Sequence, residues 1–60
     1  MDKTEYVVKY DTFCGVPYEE WFSSAEKALQ YYSRLRNAVS YRSISAVNGT
    51  GSCTLQSEKH

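Results

Sequence analysis

One histidine, at the last of 60 positions, one proline, three glycines and two cysteines are all that this chain offers of the residues with special chemistry or special backbone geometry. General acid–base catalysis needs a positioned proton donor or acceptor, and a terminal histidine has nothing to orient it, so no catalytic residue is assigned. Cys14, Cys53 and His60 are too few and too scattered for a four-ligand zinc set, and no cofactor is expected. Seven Lys and Arg against seven Asp and Glu leave no net charge. That balance disfavours nucleic acid, whose affinity rests on phosphate neutralisation, and denies the chain the acidic face of a DNA mimic. No apolar run approaches the ~20 residues that span a bilayer, so no membrane role is expected. Nothing reads as a secretory leader, which points to a cytoplasmic setting with reduced thiols. A Cys14–Cys53 bridge is open to the sequence but not implied by it.

The remaining local motifs exclude more than they assign. Cys14 has no neighbouring histidine or cationic site to stabilise a thiolate. Glu19 and Glu20, adjacent on a strand, point to opposite faces and cannot serve one substrate; they read instead as guards of a strand edge. Gly49-Thr50-Gly51-Ser52 lacks the Lys-Ser/Thr ending and the following helix of a phosphate loop. Asn48-Gly49-Thr50 matches a glycosylation triplet, with no sign of secretion beside it. No small-molecule substrate is inferred.

What is present is pattern. Ser23-Ser24-Ala25-Glu26 has the spacing of a capping box and predicts a helix from about Ser24 to Val39. Ala25, Ala28, Leu29, Tyr32, Leu35 and Val39 recur on one face of it. Thr4 to Asp11 alternates as a strand with Tyr6, Val8 and Tyr10 on one side. Gly15 and Pro17 then mark a hairpin loop, and Tyr18 to Phe22 forms a short second strand whose proline argues for an edge. Tyr41 to Val47 is the third strand, with Ile44 and Ala46 inward. Asn48 to Ser52 ends the order, and residues 49–60 read as a flexible polar tail behind a single domain of residues 1–48.

These elements predict an α+β fold, ββαβ, with a three-stranded antiparallel sheet in the order 2-1-3 and one helix on one face. The order 1-2-3, with strands 2 and 3 parallel, is the alternative. The run Tyr18-Glu19-Glu20-Trp21-Phe22-Ser23-Ser24-Ala25-Glu26-Lys27-Ala28-Leu29, followed by Tyr41 to Val47, resembles the strand, capped helix, strand grammar of tiny phage-encoded or prophage-encoded accessory proteins. Some members of that group bind and block a host machine, so the resemblance implies a small inhibitor or adaptor. It carries over no functional residue.

Six tyrosines, two phenylalanines and a tryptophan exceed what one small core absorbs, and such rings are at home in interfaces. Tyr6, Tyr10, Tyr18, Trp21, Tyr31 and Tyr41 are therefore the candidate partner-binding residues, two or three of the sheet rings being expected on the helix-free face. The expected partner is a larger protein or a second copy of the chain. Arg34, Arg36 and Arg42 form a possible basic patch. With the sheet tyrosines they make the alternative reading, single-stranded nucleic-acid binding.

Overall fold

Alternating, strand-forming residues place Glu5–Asp11 (β1) and Pro17–Phe22 (β2) in an antiparallel hairpin in a computed structural model, which describes residues 3–59. His60, on which the exclusion of acid–base and metal chemistry leans, lies outside the described residues. Helix α1 follows at Ala25–Arg34, then Tyr41–Asn48 (β3) and Gly51–Lys59 (β4). The result is an α+β fold with one helix and an antiparallel sheet of four strands in the order β2-β1-β3-β4.

The fourth strand corrects the expected three-stranded sheet and the flexible tail. Asn48 Oδ1 accepts from the Thr50 amide at 2.9 Å and from the Thr50 hydroxyl at 2.7 Å, which folds the chain back on itself. β4 then runs antiparallel to β3. Every residue of β4 is exposed, so it is held by its backbone ladder and not by an apolar face. Ile44 pairs with Gln56 but Ser45 pairs with Thr54, so Leu55 is the extra residue of a bulge.

The helix also ends earlier than the stripe to Val39 implies. After Arg34 the backbone tightens, with Leu35, Arg36 and Ala38 amides donating to Tyr32, Ser33 and Leu35 carbonyls three residues back. Val39 is buried beyond the helix, in the connection to β3. There Ser40 anchors the chain through bonds from its amide and hydroxyl to the Asp11 carbonyl, at 2.9 and 3.1 Å. At the start of α1 the cap is Ser24, without a side-chain cap bond. That register puts Glu26 at the second helical position, one short of the capping-box position, so the box does not close. Glu26 still sits where the helix dipole favours an anion.

Val8, Ala28, Tyr32 and Ile44 form the core between helix and sheet, with Tyr6, Tyr10, Phe22, Tyr31 and Leu35 packed around it. Val8 and Ile44 are directly paired across β1 and β3, so the helix rests on the middle of the sheet. It packs on β1, β2 and β3 and leaves β4 uncovered. Leu29, expected in the buried stripe, is 43% exposed because it faces this uncovered side, in a cleft it shares with Gln56 and Glu58.

Arg42 ties the uncovered strand to the rest. Its guanidinium lies 4.2 Å from the centre of the Tyr32 ring. One terminal nitrogen donates to the Tyr32 carbonyl and the other to Glu58 Oε2 on β4, the latter at 2.8 Å. Among the described residues its buried Nε has no hydrogen-bond partner.

Candidate interaction surface

The register sorts the rings by face. Tyr6 and Tyr10 alternate with Val7 on β1 and lie on the helix side, where they pack against the core. Tyr18 pairs with Tyr10 and stacks on it, centroids 5.4 Å apart, while remaining 52% exposed. Tyr31 comes down from α1 onto the same group, 6.1 Å from Tyr10 and 5.4 Å from Phe22. The Tyr10 and Tyr31 hydroxyls are hydrogen-bonded at 3.1 Å. That bond, followed by burial, pushes Tyr31 up to about 12. Trp21 and Tyr41 lie on the helix-free face, within the expected two or three. Trp21 stands directly across from Val7, which is only 2% exposed although no helix covers that side.

The six candidates therefore do not share one face. Tyr10, Tyr18 and Tyr31 are brought together, Tyr6 is part of the packing, and Trp21 and Tyr41 sit apart on the other side. The basic patch does not assemble either: Arg34 and Arg36 are exposed at the end of the helix, but Arg42 is 5% exposed and engaged inside the fold.

What the fold does assemble is an apolar loop end, with Phe13 and Val16 on the loop and Tyr18 beside it at the start of β2, whereas Trp21 lies farther along β2 on the opposite face. Of the large apolar side chains that stay exposed, Phe13, Val16, Tyr18 and Trp21 all belong to the β1–β2 hairpin. The loop that presents Phe13 and Val16 is fixed by short bonds. Thr12 donates its amide to the Val16 carbonyl at 3.0 Å, Gly15 donates to the Thr12 carbonyl at 2.9 Å, and the Thr12 hydroxyl accepts from the Val16 amide at 3.1 Å. Gly15 adopts φ +86°, a conformation that closes the turn and leaves Phe13 at its tip, 66% exposed. Beside the loop an open groove of about 480 Å³ runs along the sheet, its walls including Lys9, Pro17, Tyr18, Glu19 and Tyr41. Asp11 and Glu19 against Lys9 give this groove an acidic rim.

Phe13 and Val16 are the residues of this end that were not among the sequence candidates. Their signal was position: an apolar residue inside a Thr-Phe-Cys-Gly turn has no core to enter. Cys14, in that loop, and Cys53, on β4, are both free and exposed. Cys53 is level with Ala46 and Tyr6, at the far end of the sheet from the loop. At ~3.3 Å per residue the two thiols are separated by at least about 17 Å, so the intramolecular bridge left open by the sequence is closed off by the fold.

Among the described residues no three His, Cys, Asp or Glu side chains gather into a metal-binding group, and no helix is long and apolar enough to cross a membrane. Comparison with family models, with curated proteins and with solved structures matches none of them to this chain.

Proposed function

We propose that this chain is a small protein-interaction module, acting as an inhibitor or adaptor, that docks the outer end of its β1–β2 hairpin on a larger protein. One observation carries the reading: Phe13, Val16 and Tyr18 remain exposed together at the loop end of one hairpin, while the other exposed large apolar side chains of the described surface, Trp21, Leu29 and Leu55, lie elsewhere. Apolar side chains clustered on a rigid loop and edged by polar groups are the usual composition of a docking surface. The acidic rim calls for a partner with an apolar patch and basic surroundings. The nucleic-acid alternative retains only Arg34 and Arg36, because the Arg42 guanidinium is occupied by Tyr32 and Glu58.

A photoreactive phenylalanine analogue at position 16 or 18, with position 27 on the outer helix face as control, tests the proposal in cells. The expected result is one discrete adduct from positions 16 and 18 that excess unlabelled chain suppresses and that Phe13→Ser removes. Equal labelling from position 27 refutes it. So does an oligonucleotide bound more tightly than about 10 μM with a steep salt dependence, which restores the alternative.

A further inference from the structure

The two edges of the sheet are built differently. β2 carries Pro17, which cannot donate to a ladder, and Glu19 and Glu20, whose charges repel an incoming strand. β4 carries no proline, and its charges are confined to Glu58 and Lys59 at the end. From Gly51 to Ser57 it is an uncharged strand, exposed on both faces, with a row of backbone N–H and C=O groups that no described segment pairs. An edge of this kind is a template for strand addition.

We propose that the occupant is β4 of a second copy of this chain, joined antiparallel about a two-fold axis perpendicular to the sheet. The blocked β2 edge means that growth stops at two copies, since a β4-to-β2 contact that could propagate meets the proline and both glutamates. Antiparallel pairing also keeps Glu58 of one copy away from Glu58 of the other, so no like charges meet. This surface is distinct from the hairpin end, and the inference stands without the proposed function.

The bulge selects the register. Paired residues must share a face, and the two-fold preserves faces. Cys53 is level with Ala46 on the helix side, as is Gln56 with Ile44, whereas Ser52 and Ser57 lie on the open side with Val47 and Ser43. In a regular strand positions 53 and 56 would face opposite ways; the extra residue at Leu55 brings them to the same face. Cys53 opposite Gln56 of the second copy, with Ser52 opposite Ser57 and Thr54 opposite Leu55, satisfies every face at once. A nine-residue edge spans about 30 Å. At ~10 Å thickness it buries roughly 600 Å² in total, the size of a weak, concentration-dependent contact.

The test combines mass and cross-linking on the full chain. Sedimentation from roughly 10 μM to 1 mM should pass from the 6.9 kDa chain to twice that mass. In a Cys14→Ser background, Gln56→Cys should oxidise with Cys53 of the second copy to a covalent dimer, at least about fivefold more than Ser57→Cys, whose thiol faces away. Thr54→Lys, with an unchanged circular dichroism spectrum, should remain monomeric throughout. Monomer mass at the highest concentration overturns the proposal and leaves the edge to an extended segment of another protein. A dimer that cross-links as well from position 57 as from 56 overturns it equally.

Discussion

Glu58→Gln should weaken the fold more while Arg42 is present than in its absence. Arg42 is buried and Glu58 is not: their side chains are 6% and 43% exposed, and the contact is 2.8 Å. Fully exposed pairs contribute about 0.2–1 kcal/mol, and removing one partner of a fully buried pair costs about 3–5 kcal/mol. With one side chain in each condition, and the solvent reaching Glu58, a cost of about 1–2 kcal/mol is expected for Glu58→Gln. In a domain of this size that lowers the melting temperature by about 4–15 °C. Arg42→Met behaves differently. It keeps an unbranched stem over the Tyr32 ring, removes the buried Nε, and leaves the Tyr32 carbonyl its bond from the Leu35 amide at 3.2 Å. A near-neutral change, within about 1 kcal/mol, follows for the single substitution. In the Arg42→Met background Glu58→Gln should then cost less, by the share that the Arg42 contact contributes. Urea unfolding of the four proteins, followed by Trp21 fluorescence, yields the coupling directly. Equal costs of Glu58→Gln in both backgrounds, within about 0.3 kcal/mol, would refute the idea that this pair pins β4.

Three further outcomes follow from the packing. Ile44→Ala should cost about 2–5 kcal/mol, because Ile44 is fully buried; against a total of roughly 3–9 kcal/mol for 60 residues, calorimetry should find a largely lost transition. Gly15→Ala should cost about 1 kcal/mol in denaturant titration. An added Cβ meets nothing within 4 Å, so the whole cost is the +86° backbone angle, and a neutral result would mean that the loop relaxes freely. Tyr31, pushed up to about 12, holds its proton in the fold after the unfolded phenol has lost it, so stability should be intact below pH 10 and fall between pH 10 and 12. Tyr31→Phe should remove that alkaline step from the pH profile of unfolding.

The helix and the inner strands were legible because burial wrote a period into them. Ile44 sits between Ser43 and Ser45, Tyr6, Val8 and Tyr10 recur on one face of β1, and Ala28 and Tyr32 recur at helical spacing. β4 was illegible for the opposite reason. All of it is exposed, so no apolar period exists to be read, and its signals were the Asn48-Gly49 turn and a charge partner for Arg42. Arg42 itself was misplaced by composition. Beside two other arginines it resembles a surface patch, and only the alternation with Ile44 and Ala46 shows that it points inward. The docking end was half visible: Tyr18 stood out as a ring, whereas Phe13 and Val16 were concealed in a loop that turn chemistry alone defines.

The affinity of the adduct-forming partner for a Phe13→Ser, Tyr18→Ser double variant, compared with Leu29→Ala on the helix, puts the hairpin surface to its most direct test. Both variants should keep the native circular dichroism spectrum. Loss of tenfold or more for the hairpin variant, about 1.4 kcal/mol, with an unchanged Leu29→Ala, is the expected result. Undiminished binding by the hairpin variant would contradict it.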